Sequence, residues 1–79
     1  MDIENLLKNY EENRETVDIL LIALSDLERF VIEKLYFEKL DFIRLSEAYY
    51  KRYEIPIKIK VLKGVKTKAL KKMQSVVNI

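Results

Sequence analysis

The sequence predicts a small all-α protein, a bundle of about four helices, and three observations point there. Of 79 residues one is glycine and one is proline, too few turn residues for a multi-stranded sheet. Apolar residues make up 49% of the chain, too many for disorder. They recur at helical spacings over most of the length. A chain this short holds a single domain, 1–79, near the lower limit of what one core stabilises. An oligomer or a very economical helical core is therefore expected.

The first helix is predicted over residues 1–24. Ile3, Leu7, Tyr10, Val17, Leu21 and Leu24 fall at heptad-like a and d spacings, with Arg14 at one such position and Asp2 as the cap. That stripe suits a helix laid across a small core. It also suits a self-association seam, which would make the chain a homodimer through residues 3–24.

Ser25-Asp-Leu-Glu28 is the clearest local signal, because a serine followed three residues on by glutamate forms a capping box. A second helix starts there, buries Leu27, Phe30, Val31 and Leu35, and ends near Glu38-Lys39. Asp41 caps a third, shorter helix with Phe42, Leu45 and Tyr49 as its buried stripe. Pro56 has no amide to donate and disrupts a helix interior, so a new element begins around it.

Two structures compete for residues 57–72, IKIKVLKGVKTKALKK. Ile57, Ile59 and Val61 alternate with Lys58 and Lys60, the period of a strand, which would give three helices plus a basic β-hairpin at 57–69. A three-residue loop ending at Gly64 would set Lys60 against Lys66 and Lys58 against Lys68, and opposed like charges are destabilising. No third strand is available to support the ribbon. The helical alternative places Leu62, Val65, Ala69, Met73 and Val76 on one continuous stripe. Its penalty is Gly64, about 1 kcal/mol relative to alanine. Helix is the expectation.

Composition excludes most chemistry. With no cysteine there is neither a disulfide nor a thiolate metal site, and with no histidine the commonest general base is also missing. No enzyme, metal, cofactor or small-molecule substrate is expected, and the Glu11-Glu12 pair reads as part of a polar helix face. The longest apolar run, Ile19 to Leu24, is far too short to span a bilayer, and no basic-apolar signal opens the chain. The expected location is the cytoplasm, with no membrane partner.

Charge separates along the chain. Residues 1–48 carry twelve acidic and six basic groups, a net −6, whereas residues 49–79 carry nine basic groups and one acid, Glu54, a net +8. A basic half of this kind seeks polyanions.

Ser25-Asp-Leu-Glu-Arg-Phe-Val-Ile32, Leu35-Tyr-Phe-Glu38, the Leu40 to Ala48 helix and Lys66-Thr-Lys-Ala-Leu-Lys-Lys-Met73 together carry a resemblance. Over roughly residues 24–75 the chain resembles region 4 of bacterial sigma factors, and in particular the short ArpU-like and RinA-like phage regulators that share that module. The tight glycine turn of that pattern is replaced here by Tyr50 to Pro56, and Ile57-Lys-Ile-Lys60 stands where the family opens its recognition helix with Ser and Thr. The resemblance implies a helix-turn-helix-like pair within 25–79. It further implies a DNA-binding transcriptional regulator of phage or mobile-element type, acting on double-stranded DNA and meeting the transcription machinery.

Projected onto this chain, the resemblance puts Lys58, Lys60, Lys63, Lys66 and Thr67 on the DNA side, with Lys51 and Arg52 meeting the backbone. Lysine suits phosphate better than bidentate base recognition, so binding is expected to be mainly electrostatic and steeply salt-dependent. The bland alternative is a solvated face that keeps a β-branched segment in solution. Tyr49, Tyr50 and Tyr53 beside Lys51-Arg52 suit either base stacking or ordinary core packing. The rival from a different class is a small protein-binding adaptor or inhibitor that acts on a protein partner.

Overall fold

A computed structural model of the chain describes residues 2–78, and every regular element among them is helical. The helices are α1 (Ile3–Lys8), α2 (Arg14–Ile22), α3 (Asp26–Ile32) running on into a π-helical turn (Glu33–Phe37), α4 (Phe42–Tyr53) and α5 (Ile59–Val77). The all-α expectation holds, and residues 57–72 are helix rather than hairpin.

The expected single helix over 1–24 is two helices. Asparagine side chains compete with the helical ladder by bonding backbone carbonyls, and here two of them do so four residues apart. Asn9 Nδ2 donates to the Asn5 carbonyl at 2.9 Å, and Asn13 Nδ2 donates to the Asn9 carbonyl at 3.0 Å. The chain turns between them, and the Tyr10 hydroxyl clips the bend by donating to Asp18 Oδ1 at 2.9 Å. Once folded back, the expected self-association seam is used up inside the chain. Ile3, Leu7, Val17, Leu21 and Leu24 are all buried, and Tyr10 stacks on Phe37 with ring centroids 4.2 Å apart. On α2 the large apolar side chains left exposed are Ile19 and Ile22.

The predicted caps form. Asp2 accepts from the Glu4 amide at 2.9 Å, and Asp41 accepts from the Arg44 amide at 2.8 Å. The capping box closes in both directions: the Ser25 amide donates to Glu28 Oε1 at 2.8 Å and the Glu28 amide donates to Ser25 Oγ at 3.3 Å. Two helical stretches end in left-handed residues that are not glycine, Lys39 after the π-turn and Glu54 after α4. An L side chain in that region costs roughly 1–2 kcal/mol. That is how a chain with one glycine still turns corners.

α5 is the spine, about 28 Å long at 1.5 Å per residue. Its first half buries Leu62 and half-buries Val65 against Phe30 and Val31 of α3, Leu45 of α4 and Ile57. Its second half buries Ala69 and Met73 against α1, α2, Ile32 and Tyr36. The two clusters meet along one helix, so one stripe of α5 organises the whole core. No helix among the described residues is long and apolar enough to cross a membrane.

Candidate nucleic-acid interface

The face of α5 turned away from Leu62, Ala69 and Met73 carries Lys60, Lys63, Gly64, Thr67, Lys68 and Lys71, all exposed. At 3.6 residues per turn these positions lie along one side of the helix. The segment 59–77 contains no acidic residue. Lys58 sits at the N-cap of α5, which has no side-chain cap and no acid in its first turn. The positive end of the helix macrodipole therefore coincides with Lys58 and Lys60. Repulsion within this cluster is relieved only by solvent, counterions or an anionic partner.

The seven expected DNA-contacting residues do not form one surface. Lys60 and Thr67 share the outer face of α5, Lys58 opens it, and Lys63, exposed at its edge, leans towards α4 with its ammonium 5.6 Å from the Phe42 ring. Lys66 is half-buried, its ammonium 5.7 Å from the Tyr36 ring and 5.9 Å from the Phe42 ring, so it seals the junction of α4, α5 and the π-turn. Its position is one turn after Leu62, on the inward edge of the stripe. Arg52 lies over Phe30 and Tyr53 at 5.6 Å in each case, in a crevice bordered by Asp26 and Glu33. Arg52 thus faces α3. Lys51 borders a groove of about 400 Å³ between α4 and the Pro56-Ile57 segment, which Ser46, Glu47 and Tyr50 also line.

Two lysines missing from the expected set, Lys68 and Lys71, belong to the exposed face. The signal for both is helical phase, since Lys68 and Lys71 follow Gly64 at spacings of four and seven and Lys60 at spacings of eight and eleven. Asp2 and Glu4 of α1 adjoin Thr67 and Lys71 across a shallow groove, so the undiluted positive region runs from Lys58 to Lys68. Lys72, by contrast, is engaged: its Nζ donates to Glu28 Oε1 at 2.9 Å.

The Thr67 hydroxyl donates to the Lys63 carbonyl at 3.1 Å, which leaves its oxygen free to accept, and the residue is exposed. Of the three tyrosines considered for stacking, Tyr49 and Tyr53 pack on each other with centroids 4.6 Å apart, and Tyr53 meets Phe30 edge-on. Tyr50 is the exposed one. Among the described residues no group of three carboxylates is placed to hold a metal ion. Comparison with protein-family models, curated proteins and solved structures finds no match for this chain.

Proposed function

We propose that the protein is a DNA-binding transcriptional regulator that meets the phosphate backbone and major groove of a duplex through α5. The observation that carries this reading is the exposed, acid-free lysine face of α5 from Lys58 to Lys68 on an otherwise packed helix. A helix about 28 Å long with one cationic side matches the dimensions of a groove that admits a single α-helix. In this reading α4 and α5 act as the helix-turn-helix-like pair, in keeping with the sigma region 4 and phage-regulator resemblance. Lysines on flexible stems supply affinity through counterion release, while Thr67 offers a methyl group and an acceptor to base edges. Contacts to the transcription machinery belong to the same proposal.

A second reading is favoured by a separate observation. The α4 groove beside Pro56 and Ile57 carries exposed Tyr50, with Ile43 on the same helix and Ile55 on the adjoining loop also exposed. Exposed apolar side chains on and next to one helix suit a small adaptor or inhibitor that docks a protein partner.

A gel shift on unrelated duplexes at low salt separates the two. Binding that is abolished by Lys60→Glu with Lys63→Glu, in a protein that stays folded, supports the DNA reading. Binding that survives the double reversal moves the contact surface elsewhere. Absence of any shift at low salt favours the protein-partner reading.

A further inference from the structure

We infer that Gly64 marks the point where α5 comes closest to a DNA duplex, a notch in the lysine face that lets the helix backbone sit against the nucleic acid. The inference rests on the DNA-binding reading and names the contact point within it. Gly64 is the single glycine of the chain and lies inside a 19-residue helix. Two internal reasons explain most glycines in such a place, and both are absent. Its φ is not positive, so no left-handed conformation requires it. A Cβ built there would meet no atom within 4 Å, so no close packing requires it either. The helix penalty of this residue is therefore not offset by anything within the chain.

The surroundings say what an external partner would be. Lys60 and Lys68 stand one turn before and one turn after Gly64, roughly 6 Å away along the axis on either side. Lys63 and Thr67 flank it, and every one of these side chains is exposed. A second copy of the same face is repelled by like charge. A lipid surface is disfavoured, because Val61 is the one large apolar side chain exposed on α5 among the described residues, too little to bury in the acyl boundary. A duplex combines dense negative charge with a firm contour, so ammonium groups on both sides reach phosphates while the bare backbone fills the space between. A methyl group at position 64 would hold the helix off that surface and lengthen every lysine contact around it.

The test compares the full chain with Gly64→Ala, Gly64→Leu and Ser75→Leu in fluorescence-anisotropy titrations of an unrelated duplex at low salt. Ser75 is exposed on the same helix, two turns beyond Lys68, where the undiluted positive region ends. Melting followed by circular dichroism confirms folding of each variant. Gly64→Ala is expected to melt roughly 4 °C higher, because alanine is the better helix former. It is nonetheless expected to bind the duplex at least fivefold more weakly, Gly64→Leu more weakly still, and Ser75→Leu like the wild type. If both position-64 variants bind as tightly as the wild type, or tighter, the notch is not a contact and the inference falls, while the DNA-binding reading stands. Equal weakening by Ser75→Leu overturns it too, because surface bulk in general would then be the cause. No duplex binding by the wild-type chain overturns both.

Discussion

The Lys72 ammonium lies 2.9 Å from the Glu28 carboxylate, 44 residues away in sequence, and so ties the start of α3 to the second half of α5. The same oxygen, Glu28 Oε1, accepts the Ser25 amide at 2.8 Å. One buried carboxylate therefore caps a helix and anchors the spine. Replacing Glu28 with glutamine keeps an acceptor for the cap but removes the charge, and it is expected to cost about 2 kcal/mol. Urea unfolding of the two proteins checks it, with the midpoint shifted and the slope unchanged.

The same residue sets an acid limit. Burial by itself raises the Glu28 pKa, yet the hydrogen bonds from Lys72 and Ser25 outweigh burial and hold it below the ordinary 4.5. The unfolded chain then takes up this proton more readily than the folded one. The stabilisation is present above about pH 4.5 and is lost as pH falls through the lower folded-state value. Thermal melts below pH 4.5 should fall more steeply for the wild type than for Glu28→Gln.

Tyr36 supplies the alkaline counterpart. Burial first, then the nearby Glu4 and Asp2 carboxylates, push its pKa up to about 12. Glu4 acts on the hydroxyl through its charge and a marginal hydrogen bond, and the buried hydroxyl finds no partner of full hydrogen-bonding geometry. A raised folded-state pKa means that the associated stability is complete below the ordinary value of 10 and is lost as pH rises towards 12. In an ultraviolet titration of the five tyrosines, one phenolate should form near pH 12, and Tyr36→Phe should remove that step. Removing a buried, unpaired hydroxyl should leave stability unchanged or raise it by up to about 1 kcal/mol.

The N-terminal leucines act within the chain. Leu7 is 1% exposed and Ile22 is 74% exposed. Leu7→Ala should cost about 3 kcal/mol, as a cavity in the first cluster. Ile22→Lys should change stability by no more than about 0.5 kcal/mol. Melts at several protein concentrations are the check. A Leu7→Ala effect that shrinks as concentration rises would place that side chain at an interface after all.

Much of this fold was legible in the sequence because its signals are local. The capping box at Ser25, the caps at Asp2 and Asp41, and the end near Lys39 each depend on a few neighbouring residues, and each formed. The helical phase of Leu62, Ala69 and Met73 also prevailed over the strand-like alternation at Ile57 to Val61, because all three meet the core from one side of α5. The break at Asn9–Asn13 was missed for a local reason: two asparagines outcompete a heptad pattern that continues through them. The lysine face was only half legible. Composition announces the charge, but whether Lys66 points outward or over Tyr36 and Phe42 depends on where α4 and the π-turn pack. Arg52, drawn onto Phe30 beside Asp26 and Glu33, is invisible to sequence for the same reason.

The central claim is that the outer face of α5 is a phosphate-binding surface, and the salt dependence of duplex affinity tests it most directly. If Lys60, Lys63 and Lys68 each neutralise one phosphate, log affinity should fall against log salt with a slope of about −3, and Lys60→Gln should flatten it by roughly one. A wild-type affinity that does not change with salt, or a slope that Lys60→Gln leaves untouched, would contradict it.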